Sequence, residues 1–297
     1  MNVPGARRTR DTLDTLGTPI TWPFRAWLVV EVGFGLAAIS AIFLFPGQTD
    51  TNFAWPIKPP VMAAVLGAFY LASAFLFLLP LFARRWEQVR VMVLPAAIFT
   101  TIELIATFLH WDKFAVGTQP FSVWFASYLL PPPIFAALYW WQQRRSIPVG
   151  AEVTQPLPPW FRNLCLVNGG ALAVVSGLLF LFPGVLIANG PWAFTPLTTR
   201  ALCGWLIAVG LLLVCMAWEN DWGRIRLGTV MLIVLGPALL LQVLRFSDQA
   251  NWANVWLLIA LADLVLLSVM MVGMWLRHPA AAPRRVAPAQ GEATGLA

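Results

Sequence analysis

Apolar residues fall into eight runs of about twenty, separated by short intervals that carry most of the arginines. The pattern predicts helices at roughly 25–46, 60–82, 89–110, 121–142, 161–182, 199–218, 225–246 and 252–276. Each can cross a hydrocarbon core of about 30 Å at about 1.5 Å per residue. The runs are too long and too uniformly apolar for strands and lack the period-two alternation of a membrane barrel. The pattern also repeats: residues 25–67 align without a gap onto 162–204. Arg25 matches Arg162, Gly33 matches Gly170, and Phe43-Leu44-Phe45-Pro46-Gly47 matches Phe180-Leu181-Phe182-Pro183-Gly184. Trp55, Pro59 and Gly67 match Trp192, Pro196 and Gly204.

The expected fold is an all-α polytopic transmembrane bundle, eight spans arranged as two parallel four-helix repeats. Residues 1–24 form a cytoplasmic tail and 25–145 the first repeat. A Pro-rich cytoplasmic linker covers 146–160, the second repeat 161–277, and a disordered tail 278–297. The first span reads as uncleaved, because no short apolar core with a small-residue cleavage site follows the tail. Loops 47–59 and 183–198 are repeat-equivalent and should hold short interfacial structures.

Composition sharpens this picture. With 59% hydrophobic and 11% charged residues, against about 25% charged in a soluble domain, the solvent must be lipid. The pI near 9.9 is not a nucleic-acid signal, because the excess Arg sits in short loops. Arg84, Arg85, Arg90, Arg144, Arg145, Arg224 and Arg226 fall on the side of both termini, while the other side has Lys58, Lys113, Arg200 and Arg245. That bias places both termini in the cytoplasm. Most of the 16 Trp lie near the two interfaces as an anchoring belt, and only Trp205 sits well inside a span. The expected partners are the lipid bilayer and a small solute or ion, with no nucleic acid.

Polar residues inside the spans carry the candidate chemistry, since a mid-bilayer charge costs about 2.5–3.5 kcal/mol on insertion scales. Thr100, Glu103, Thr107 and His110 share one stripe of the third span, which should face protein or water rather than lipid. This stripe reads either as a polar track from the outer surface or as a hydrogen-bonded Glu joining helices. Asp263 lies near the middle of the eighth span and Gln242 in the outer part of the seventh. Glu31 on the first span aligns with Asn168 on the fifth; the favoured reading pairs Glu31 with Arg25 or Arg162 at the inner interface. Pro131-Pro132-Pro133 removes three backbone donors midway along the fourth span, so the freed carbonyls need protein or a water-lined cavity. Gly236-Pro237 should kink the seventh span mildly. Small residues at Gly33, Ala37 and Ala41, and at Gly169, Ala173 and Gly177, read as close-packing stripes.

No span offers paired His ligands, and the chain has only two His, His110 and His278. Cys165, Cys203 and Cys215 have no paired spacing and read as packing residues. No phosphate-binding loop or hydrolase motif is present. No cofactor and no metal are expected. His110-Trp111-Asp112 suggests an outer-face acid–base cluster or, more simply, a hydrogen-bonded pair.

The segment Phe53-Ala54-Trp55-Pro56-Ile57-Lys58-Pro59-Pro60, followed by Ala63-Ala64 and Gly67, resembles one that recurs in uncharacterised bacterial multi-pass membrane proteins. The likeness covers the first four spans best and implies a bacterial inner membrane; it brings no activity with it.

The leading expectation is a carrier or channel-like protein for a small solute or ion, proton-coupled through Glu103 and Asp263, with a site between the halves near the proline triplet. The alternative is a non-catalytic membrane scaffold or partner subunit, with its carboxylates in satisfied contacts and no mid-membrane cavity. A membrane-embedded enzyme stands third.

Overall fold

A computed structural model describes residues 18–146 and 155–278. The expectations for most of the N-terminal tail, the centre of the linker and the C-terminal tail fall outside the described residues. The described chain is helical apart from two isolated β-bridges, and eight helices are long and apolar enough to cross a membrane. They are α1 (Trp22–Leu44), α2 (Pro60–Phe82), α3 (Arg90–Leu109), α4 (Gln119–Arg144), α5 (Pro159–Leu181), α6 (Pro196–Glu219), α7 (Trp222–Arg245) and α8 (Val255–Arg277).

Local chemistry sets their ends. Proline occupies the first turn of α1, α2, α4, α5 and α6, where its missing N–H costs no hydrogen bond. The Thr118 side chain caps α4, Thr195 caps α6, Asp221 caps α7 and Asn254 caps α8. The Asp221 cap explains why α7 begins three residues before the apolar run predicts. The expected interfacial structures are short helices, Thr49–Asn52 and Gly184–Asn189.

The eight helices form two interlocked groups. In one, α2 packs between α1 and α7, and α7 also packs on α8. In the other, α6 packs between α5 and α3, and α3 also packs on α4. Each group thus takes two helices from each half of the sequence. Burial follows: 78% of the α2 window is inside, against 17% for α5 and 22% for α8. The outward faces of α5 and α8 carry exposed Val167, Val174, Val269 and Leu276, as lipid contact requires.

The ends carrying the termini are tied in matching ways. Trp86 N–H donates to Thr18 O at 2.8 Å, and Trp222 N–H donates to Gln155 O at 2.9 Å. β-Bridges pair Pro19 with Arg85 and Pro156 with Asp221. Arg25 donates to the carbonyls of Leu81 and Ala83, and Arg162 Nε to the carbonyl of Ala217. Each of these arginines caps the last turn of the next helix. Arg90 grips Glu219 through two hydrogen bonds of 2.6 Å, joining α3 to α6.

Two helices depart from regular geometry. The last six residues of α1, Ile39–Leu44, form a π-helical turn. Its carbonyls find outside donors: Gln242 Nε2 and Arg245 Nη1 on Phe43 O, Arg245 Nη2 on Leu44 O, and Asn52 Nδ2 on Ala41 O. Gly67 lies against this turn so closely that a Cβ there would sit 2.6 Å from Phe43 N and Cα. The helix α4 divides at Leu130 into Gln119–Leu129 and Pro131–Arg144. The three prolines fill the first turn of the second piece, which is how the span tolerates them. By contrast, α7 runs on through Pro237.

Candidate functional site

A cavity of about 520 Å³ lies between α1, α2, α3 and the first piece of α4, with α6 behind it. This is within the usual range for small-molecule sites, about 300–1,000 Å³. Below it α1 and α4 close together: the Trp27 and Phe135 rings lie 6.2 Å apart, and Gln142 bonds to Thr21 N and Pro19 O. The cavity lies along the α1–α4 seam beyond this contact. Ala37 and Ser40 of α1 and Gln119 and Val123 of α4 line it, and all four are exposed. Exposed Gln48 and half-buried Asn52, from the segment after α1, line it as well.

The walls are aromatic and the polar groups are few. Trp205 of α6 lines the back; it stacks on Phe69 at 5.5 Å and meets Phe99 at 3.9 Å. The hydroxyls of Tyr70 and Tyr128 are hydrogen-bonded to each other at the wall. Ser73 and Ser127 also line it. Pro131, Pro132 and Pro133 have no N–H to offer the carbonyls of Ser127, Tyr128 and Leu129, and two of those three residues are on the wall. The proline triplet therefore leaves these three carbonyls without the amide donor of a regular helix.

Glu31 is the carboxylic acid of this cavity. It is buried, and its Oε1 accepts no hydrogen bond. The expected pairing with Arg25 or Arg162 is not formed, because both guanidinium groups are engaged by helix-end carbonyls. Among the described residues that line the cavity there is no Lys, Arg or His.

The polar stripe of α3 faces inward. Thr100, Glu103 and Thr107 are all buried, but only Thr100 reaches the cavity. Thr107 Oγ1 donates to Glu103 O and accepts from Trp124 Nε1 at 3.0 Å, which steadies a cavity-wall indole. Neither carboxyl oxygen of Glu103 has a hydrogen-bond partner, and the group presses on Gly204, where a Cβ would collide with Oε1. His110 leaves the stripe: it accepts from Arg200 Nη1 at 2.7 Å, and Arg200 Nε donates to Phe180 O. Burial and the neighbouring guanidinium hold the His110 imidazole below its ordinary value. Asp112 pairs with Lys113 at 2.6 Å rather than with His110, and that hydrogen bond holds its carboxyl below the usual range.

The remaining candidates lie elsewhere. Asn168 Nδ2 donates to Asp263 Oδ1 at 2.5 Å, joining α5 to α8. The structure does not bring Asp263 to Glu103 or to the α4 break: α8 packs on α7 and bonds to α5 through Asn168, whereas α3 and α4 pack together on the other side of α6. Gln242 serves the π turn. Of the small-residue stripes, Gly169 and Ala173 do pack against α6, whereas Gly33 and Gly177 meet open space. Ala37 and Ala41 line the cavity instead of a helix contact.

Tyr70, Tyr128 and Trp205 are the site residues that pattern reading missed. Each had a signal: Trp205 is the lone mid-span Trp, and two of only three Tyr in the chain lie deep in spans. Compared with protein-family models, curated proteins and solved structures, the chain matches none, so the functional argument rests on the geometry of this cavity.

Proposed function

We propose that this integral membrane protein is a carrier for small, largely apolar molecules that pass sideways from the bilayer into the α1–α4 cleft. The observation that carries the reading is the aromatic-walled cavity between α1 and α4, with exposed residues of both helices in its lining and, at mid-span, the buried carboxyl of Glu31, whose Oε1 has no hydrogen-bond partner. Within the spans the exposed lining is Ala37, Ser40 and Val123, while Gln48 and Asn52 after α1 and Gln119 at the start of α4 form its polar end. In this reading the chain is two parallel four-helix repeats with both termini in the cytoplasm of a bacterial cell. The gapless alignment, the Arg bias and the matched ties at Arg25 and Arg162 support it.

The scaffold alternative calls for satisfied carboxyls and no mid-membrane cavity, and Glu31 argues against it on both counts. The enzyme reading loses its acid–base pair, since His110 and Asp112 bond to other groups.

Photolabelling tests the carrier reading. A neutral long-chain alcohol bearing a diazirine, added to vesicles, should label Trp205, which is 4% exposed and shielded from bulk lipid. Ala37→Trp in the exposed lining should remove that label. Labelling confined to lipid-facing residues such as Val167 would reject the cavity as a route.

A further inference from the structure

Among the described residues that line the cavity, the ionisable groups other than the two phenols reduce to one carboxyl, and the remaining polar side chains are neutral amides and hydroxyls. Glu31 brings a carboxyl, the α4 break brings carbonyls without amide partners, and no basic side chain lines the wall among the described residues. The aromatic side chains of Trp124, Tyr128 and Trp205 line the cavity, and aromatic rings attract organic cations. We infer that the cavity takes lipophilic organic cations, each exchanged for a proton at Glu31.

The exchange follows from solvation. A carboxylate buried among apolar groups is unstable without a counter-charge, so an empty cavity favours the neutral acid. An arriving cation supplies that charge. The O–H bond of Glu31 breaks, its proton leaves to water, and the cation becomes the counter-ion. The site stays at zero net charge, and no electrons are transferred.

The groups around Glu31 permit this. Of the elements packed about it, α2 contributes the Tyr70 phenol and α4 the Tyr128 phenol, bonded to each other. The α3 carboxyl of Glu103 lies beyond the two phenols and is close enough to act on both. The lining residues from α6 and α7 are Trp205, Ala208, Leu212 and Met231, none titratable. On α1 itself Arg25 is held by carbonyls. Nothing basic competes for the carboxylate. The aligned position of the second half has Asn168 already bonded to Asp263, so the exchange belongs to the first half alone.

The inference rests on the carrier reading, and the test separates them. The full chain in nanodiscs is titrated with tetraphenylphosphonium and with tetraphenylborate, ions of one shape and opposite charge, against empty nanodiscs. The cation should bind about ten-fold tighter or better, release about one proton per ion in weak buffer, and weaken as pH falls. Glu31→Gln should lose about ten-fold in cation affinity and all proton release, while Glu31→Asp keeps the release. A thermal melt confirms that each variant is folded. Equal binding of both ions, blocked for both by Ala37→Trp, would overturn the cation assignment and leave the carrier reading standing. Binding of neither ion that responds to Ala37→Trp, together with no neutral label on Trp205, would remove both.

Discussion

Glu31 and Asn168 occupy aligned positions at the same depth, yet one faces a cavity and the other a partner. The neighbouring substitutions explain the difference. At α5–α6 the backbones touch: a Cβ on Gly169 would lie 2.6 Å from Gly210 O, and the reverse holds for Gly210. The aligned residues of the first half are Val32 and Ser73, too large for that approach. There a Cβ added to Gly35 would lie 3.6 Å from Ala74 Cβ, an ordinary contact, and α1 closes tightly on α2 only at its π turn. The α5–α6 contact is thus closed by two glycines, with the Asn168–Asp263 bond beside it, while Glu31 lines a cavity.

The strongest way to break this comparison is at its closest contacts. Gly67→Ala drives a methyl into Phe43 backbone, which cannot yield, and should cost about 3 kcal/mol in detergent unfolding. The aligned Gly204→Ala meets the end of the Glu103 side chain instead. It should cost only about 1 kcal/mol, and Glu103→Ala in the same chain should relieve it. Equal losses at the two glycines would refute the assigned difference between the halves.

The mid-membrane pair gives the next effect. Asn168→Leu strands Asp263 and should cost about 2 kcal/mol, whereas Asn168→Leu with Asp263→Leu should return most of it. Glu31→Gln removes no hydrogen bond from Oε1 and should leave the unfolding free energy within about 0.5 kcal/mol of the parent. A large loss at Glu31 would mean that it is structural, as Asn168 is.

The smallest effect is one of pH at the outer ends. The α7–α2 tie, Gln249 Oε1 accepting from Val61 N, does not titrate; the α3–α6 tie through His110 and Arg200 does. The folded-state value of His110 is lowered, so its contribution is whole above the ordinary value near 6.5 and is lost as pH falls through the lowered one. Melting temperature should therefore drop slightly on acidification below about pH 6.5, and His110→Phe should flatten that slope. No change in slope would detach His110 from the α3–α6 contact.

Much of the site left a mark in the sequence without its position being legible. The Thr100, Glu103 and Thr107 stripe points inward as periodicity demands, but periodicity says nothing about which helix receives it. The proline triplet foretold free carbonyls near a cavity. The Gly33, Ala37, Ala41 stripe misled, because small residues mark a close helix contact and a cavity wall alike. Asn168 and Asp263 are 95 positions apart, and no local rule joins them.

The chain alone determined the eight apolar spans to within a few residues of their ends. Hydrophobicity, capping and Arg placement act over a few residues and can be read locally. Tertiary structure decided that α2 pairs with α7 and α6 with α3, that Glu31 lines a cavity while Asp263 is held, and that α1 to α4 build most of that cavity with α6 and α7 completing it. In lipid, one apolar helix face is chemically much like another, so partners are chosen by shape and by a few polar bonds between distant residues.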